Sequence, residues 1–397
     1  MLLCNRRWIE IVLRQGSRFP EEPMFSTTHF TRTIMRSTCV VLWSLGASSA
    51  LTHCLGQSAP PRYKVLDLGP SLVRTLVDTP GLNARGDVAL WRSTNGNDIQ
   101  AFLLQTTHAV EIPGLRDFPL VFPADISNDE TVVGLVQASG DMRFTRAFRW
   151  KPGQHPEILP PLNGKASDAT ANNAAGEIVG EAQVSGGAYH AVLWHNRTPV
   201  DLGVLAAGDY SKARDINNRS TVVGEANTTP NGKLHAFVWE KASSKMRQLP
   251  DPPGSTFCSA QAINDSGEVI GSCDLAHGIA HGVLWRDEKV VDLGSVGEDA
   301  DDSVSTALDI NIHTQIVGSS EIADGKQRAF LWEHGTLQNL NEMIPPHSGW
   351  LLLVASRIND AGEILGRGYY RDGIHSFLLL PQVSSAALRA TSLAPKE

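Results

Sequence analysis

The residues best suited to chemistry recur along this chain at regular intervals, and the interval limits what they can do. By type, His190, His235, His281 and His375 would suit a transition metal. They occupy equivalent places in successive copies of one repeat, and such places are too far apart to share one ion at the ~2.0–2.1 Å of a Zn–N bond. Each is expected at a strand end, hydrogen-bonded to backbone, and no metal centre is expected from them. Asp125, Asp215 and Asp309 recur too, each just before an isoleucine. If their strands are innermost they would face a central channel and attract a cation; otherwise they are solvated strand-end charges.

A second group is irregular. From the end of each fourth segment to the next isoleucine, the connection is twelve or thirteen residues in five repeats. It lengthens to sixteen between Gly294 and Ile310 and to eighteen between Leu340 and Ile358. Extra loop length on a rigid scaffold is where function tends to sit. These loops hold Glu298, Asp299, Asp301, Asp302 and Trp350, and a neighbouring loop adds Tyr369 and Tyr370. Acids beside aromatics suit a sugar or a Ca²⁺ ion, the one cofactor to consider. The acid run is not an EF-hand, because Val304 and Ile310 stand where its glycine and glutamate belong. The alternative is an ordinary solvated loop. Gly-x-Ser-x-Gly, His-Glu-x-x-His and phosphate-loop motifs are absent. An enzyme is therefore not indicated, although a hydrolase gathering acids from several repeats would leave no linear motif.

Composition narrows the class. The chain has 397 residues with 35 Gly, 22 Pro and only 19% charged residues, as many short strands and tight turns require. Its net charge of −8 argues against a nucleic-acid partner, since phosphate binding needs a basic surface. No apolar run is long enough for a transmembrane helix, so no membrane anchor is expected. Residues 1–56 read as an upstream extension plus a signal peptide. Arg32 and Arg36 precede an apolar stretch at 39–47, and Ser48-Ser49-Ala50 offers a cleavage site. Met24 or Met35 is then the natural start. Without residues 1–56 the chain keeps 28 basic and 39 acidic side chains. Residues 57–381 hold the repeats, and 382–397 form a flexible tail.

The repeat is about 46 residues long and occurs seven times, with its isoleucine position at Leu82, Ile126, Asn172, Ile216, Ile263, Ile310 and Ile358. Each copy contains a hairpin like Ile263-Asn264-Asp265-Ser266-Gly267, a strand like Val222-Val223-Gly224 and an aromatic strand like Ala236-Phe237-Val238-Trp239, and every copy but the last adds a strand like Asp201-Leu202-Gly203. Four antiparallel strands per unit describe a propeller blade. The fold class expected is all-β, a seven-bladed β-propeller of four-stranded blades. The last copy lacks a fourth strand, and Tyr63–Gly69 is an unpaired one ahead of the first copy. The N-terminal strand should therefore complete the last blade and close the ring, an open solenoid being the other architecture.

Cys258 and Cys273 flank one hairpin. They share the index sum of Asn264 and Gly267, so in a hairpin symmetric about that turn they are directly opposed, within reach of a disulfide. A bulge would shift the pairing by one residue and separate the sulfurs. The fate of Cys54 depends on the cleavage site.

The repeat resembles that of the HAF family of probable extracellular repeats, named for a His-Ala-Phe motif. It stands here as His235-Ala236-Phe237, with looser forms at His190-Ala191-Val192, His281-Gly282-Val283 and His375-Ser376-Phe377. Gln100, Arg146 and Arg328 replace the histidine in three repeats. The resemblance spans residues 63–381, including Ser348-Gly349-Trp350 and the ending at Pro381. It implies export from a bacterial cell and no particular reaction. The reading that results is a secreted or periplasmic monomeric binding module. Its partner would be a glycan or a protein, held on the long-loop face. An exported glycoside hydrolase or lyase and a structural envelope protein are the alternatives.

Overall fold

A computed structural model describes residues 62–382 except 71–79, 94–98, 107, 140–143, 276–277, 298–302, 323–324 and 372. The signal-peptide segment, Cys54, the acids Glu298, Asp299, Asp301 and Asp302, and residues 383–397 lie outside the described residues.

Seven four-stranded antiparallel sheets form seven blades of a β-propeller. Blades 1 to 6 follow chain order, their first strands being Gly81–Leu82, Leu120–Ile126, Ser167–Asn172, Ser211–Ile216, Cys258–Ile263 and Ser305–Ile310. Blade 7 takes its first three strands from Trp350–Ile358, Ile364–Tyr370 and Gly373–Pro381. Its fourth is Tyr63–Pro70, antiparallel to the last strand from Tyr63↔Pro381 to Pro70↔His375. The ring is thus closed by the N-terminal strand, as the strand count requires.

The core lies between blades. Val223, Ala236 and Val238 of blade 4 pack on Cys258, Ala260 and Ile263 of blade 5, and the other interfaces follow the same scheme. The Val-Val-Gly glycine is dictated by this geometry. A Cβ at Gly224 would lie 2.0 Å from the Lys212 carbonyl oxygen, and one at Gly318 would lie 1.9 Å from that of Thr306.

The hairpin asparagines join the blades. In each, Oδ1 accepts N–H groups two and four residues on, as Asn217 does from Arg219 and Thr221 at 3.0 Å each. Nδ2 donates to the main-chain carbonyl of the next blade's hairpin. The links run Asn173→Asn217→Asn264→Asn311→Asn359→Asn83, all at 3.1 Å, and Asn83→Ser127 at 3.3 Å. Ser127 cannot reach onward. There Asn172, in the isoleucine position of blade 3, donates instead to Thr131 O at 2.9 Å.

Cys258 and Cys273 are directly paired, buried and disulfide-bonded. The register is reached by a different route from the symmetric turn. The hairpin closes one residue later, with Asn264 N–H bonding Glu268 O. A bulge between Ala260 and Ala262 then restores the offset. The same bulge recurs two residues before the isoleucine position in the first strands of blades 2 to 7.

Candidate functional site

The four histidines bond to carboxylates, a correction to the expected backbone partners. His190 Nδ1 lies 3.0 Å from Asp201, His235 2.7 Å from Asp251, His281 2.9 Å from Asp292 and His375 2.9 Å from Asp67. Each pair joins the third strand of a blade to its fourth strand or the residues just after it; in blades 3, 5 and 7 the aspartate is that of Asp-Leu-Gly, and in blade 4, where Gln248 holds that place, it is Asp251 three residues on. In the seventh blade the carboxylate comes from the closing strand. Burial alone would raise Asp67, Asp201 and Asp292. Bonds from the histidine and from the N–H of Gly69, Gly203 or Gly294 outweigh it and hold all three below the usual carboxylate range.

Asp125, Asp215 and Asp309 stand one residue from the hairpin end of the first strands of blades 2, 4 and 6. Arg357 of blade 7 holds the corresponding place and donates to Ala124 O of blade 2 at 3.2 Å, passing blade 1. Such a contact is open only to residues round the channel. Going round the blades, this position reads Gly81, Asp125, Ala171, Asp215, Ala262, Asp309, Arg357. Carboxylates occupy the even blades, and the arginine stands where an odd ring breaks the alternation. Each acid ties its blade to the next: Asp125 accepts from Asn172 N at 3.0 Å, Asp215 from Ile263 N at 2.8 Å and Asp309 from Ile358 N at 2.8 Å. Burial raises all three despite Arg357, Asp215 to about 6 and Asp309 to about 7.

The opposite, loop-facing end of the channel carries a charge cluster that the sequence reading missed. Asp168 and Glu181 are directly opposed in blade 3, as are Lys212 and Glu225 in blade 4. Lys212 Nζ reaches across the blades to Glu181 at 2.8 Å, and Arg214 binds Glu225 at 2.8 Å. The corresponding pairs elsewhere are Phe122↔Leu135, Ser259↔Ser272, Thr306↔Ser319 and, in blade 7, Val354↔Arg367. That departure from the repeat, four residues before the isoleucine position, was the available signal.

The long loops bring a further group together. Trp350 and Tyr370 are cross-strand partners with rings stacked at 4.5 Å and 8°. Trp350 also packs edge-on against His375 and Phe377. Tyr369 pairs with Leu351, points to the other face of the blade and is 47% exposed. The structure thus unites Trp350 with Tyr370 and separates Tyr369 from them. The start of the loop into blade 6, blade 6's fourth strand Thr336–Asn339 and the turn into blade 7 line an open groove of about 450 Å³. Val296, Leu337 and Met343 supply its apolar wall, and Gln338, Asn339 and Glu342 its amides and carboxylate. Among the described residues no three His, Cys, Asp or Glu side chains gather closely enough to hold a metal ion. Among the same residues no helix is long and apolar enough to cross a membrane.

No protein-family model and no curated protein matches the chain. Solved structures share its fold at low identity. A puromycin-hydrolysing peptidase of Mycobacterium tuberculosis is 12% identical, with a TM-score of 0.51 over 81% of this chain and 52% of its own. The chain thus spans about half the length of that peptidase. TolB from Acinetobacter baumannii is 14% identical, covering 66% of this chain and 67% of its own, with a TM-score of 0.41. The β-propeller domain of the Trilobed protease from Pyrococcus furiosus is 11% identical, covering 66% of this chain and 80% of its own, with a TM-score of 0.47. These likenesses concern the propeller alone.

Proposed function

We propose that this chain is an exported propeller of the HAF repeat type that binds a glycan in the groove between the loops into blades 6 and 7. The groove itself carries the reading. The starts of the two connections whose length departs from the repeat supply Ser295, Val296, Glu342 and Met343 to it, and blade 6's fourth strand supplies Leu337, Gln338 and Asn339. Its lining alternates apolar surface with amide and carboxylate groups, which matches the mixed apolar and hydroxyl surfaces of a sugar. Export is supported by the buried Cys258–Cys273 disulfide, since such bonds persist in oxidising compartments. The arginine, apolar and small-residue order of residues 32–50 supports it too.

The test is a glycan array probed with the full chain, with and without Ca²⁺. Trp350→Ala alone is a poor probe, because Trp350 also packs against the core between blades 6 and 7. A Gln338→Ala/Glu342→Ala variant removes groove chemistry without touching that core. Saturable binding lost in the double variant supports the reading. Absence of any binding sinks it. Turnover of array glycans in place of saturable binding would replace this reading by hydrolysis.

A further inference from the structure

Among the described residues, the cluster at the loop-facing mouth of blades 3 and 4 is short of one positive charge. It holds three carboxylates, Asp168, Glu181 and Glu225, and two cations, Lys212 and Arg214. The cations are each committed at 2.8 Å, Lys212 to Glu181 and Arg214 to Glu225. Asp168 is left over. It stands directly across the ladder from Glu181, a like-charge placement that costs stability. Its Oδ1 atom is out of solvent contact and without any hydrogen-bond partner. Blades 5 and 6 place serine and threonine at this point, so the fold does not require an acid there.

Two tyrosines complete the surroundings. Tyr210 Oη lies 3.5 Å from Glu181 Oε2. Tyr189 pairs across the ladder with Gln183, two residues from Glu181, and burial first, then the charges of Glu181 and Asp168, raises its phenol. Both residues are half-buried, Tyr189 opening the third strand of blade 3 and Tyr210 just ahead of the first strand of blade 4. Aromatic rings and an unmatched carboxylate are the elements that hold organic cations.

We propose that the loop-facing channel mouth at blades 3 and 4 is a binding site for an organic ammonium group, with Asp168 as its carboxylate partner and Tyr189 and Tyr210 at its rim. The site is separate from the glycan groove and does not rest on it. A primary ammonium supplies three N–H donors, enough for Asp168 Oδ1 and a second carboxylate oxygen. A divalent metal is a poorer occupant, because among the described residues no three ligating side chains converge. Binding is linked to protons. Burial and Glu181 raise Asp168, while Lys212 and a hydrogen bond from Thr145 oppose them. An arriving cation favours the ionised form, so a proton leaves Asp168 as the ammonium binds and affinity rises with pH.

The experiment is calorimetric titration of the full chain with butylamine and butane-1,4-diamine at pH 5 and pH 8, with CaCl₂ as the comparison ligand. The expected result is saturable amine binding that is tighter at pH 8, with a heat that varies with buffer ionisation because a proton is released. Asp168→Asn should weaken it at least tenfold and abolish the pH dependence. Should that variant not fold, Asp168→Ser copies the residue blade 5 already carries. Gln338→Ala in the groove should leave amine binding unchanged. Equal amine binding by the Asp168 variants, no saturable amine binding at either pH, or binding of Ca²⁺ in place of amines would each overturn the proposal.

Discussion

Tyr63→Ala should weaken the whole propeller, although it alters one residue near the N-terminal end of the described chain. Tyr63 is 1% exposed and packs with Met343, Ile344, Phe377 and Leu379 where blades 6 and 7 meet. A buried aromatic side chain covers roughly 150–250 Å². At about 25 cal/mol per Å² its removal forfeits about 4–6 kcal/mol as an upper bound. Aromatic-to-alanine changes in cores generally cost about 3–5 kcal/mol, so about 4 kcal/mol is expected here. Leu66 is the control. It lies in the same closing strand but is 42% exposed, so Leu66→Ala should cost no more than about 0.5 kcal/mol. Urea denaturation followed by tryptophan fluorescence reads both. A Tyr63→Ala loss under about 1 kcal/mol, or losses alike in the two variants, would refute the view that the closing strand is an integral part of blade 7.

The channel acids predict a pH dependence. Asp215 and Asp309 titrate at about 6 and about 7 when folded, so the folded chain keeps protons that the unfolded chain has released. Stability should fall as pH rises from about 4 to about 7, by up to ~1.4 kcal/mol per pH unit for each proton held. Below about pH 4 the sign reverses, because the depressed Asp67, Asp201 and Asp292 lose their contribution as they protonate. Melting curves from pH 3 to 8 should peak in the mildly acid range, Asp309→Asn should flatten the upper limb, and a melting temperature that climbs from pH 5 to 7 would contradict this. The disulfide prediction is a comparison of two double variants. Ser211 and Ser305 accept the N–H of Ala191 and Gly282 in the preceding blade, and Cys258 stands in their place in blade 5. Cys258→Ala/Cys273→Ala should cost up to about 3 kcal/mol. Cys258→Ser/Cys273→Ala should cost less, because serine restores the inter-blade bond; equal losses in chemical denaturation would count against it.

The fold was legible because a repeat declares itself seven times over. The Ile-Asn hairpin, the aromatic strand and the Asp-Leu-Gly strand all sit where their spacing put them, and the surplus N-terminal strand closes the ring. What each repeated polar residue does was less legible. The asparagine reads as a turn former, and it is one, but its Nδ2 also spans to the next blade, a partner some 44–48 residues away. The histidine meets an aspartate that turn chemistry alone gives no reason to pair with it. The disulfide was placed correctly through two offsetting features, a longer turn and a bulge, neither of which composition reveals. Asp125, Asp215 and Asp309 could be seen to recur, while their alternation with Gly81, Ala171 and Ala262 gains meaning only once the blades form a ring. Asp168 and Glu181 went unnoticed because they lie apart in sequence and meet only across the ladder.

The central functional claim is that ligand sits in the groove between the loops into blades 6 and 7. Hydrogen exchange of the full chain, with and without the tightest-binding array glycan, tests it most directly. The account predicts slowed exchange at Ser295–Val296 and across Leu337–Met343, which line the groove, with the asparagine hairpins of the opposite face unchanged. Protection confined to those hairpins, or to the outer strands, would contradict it.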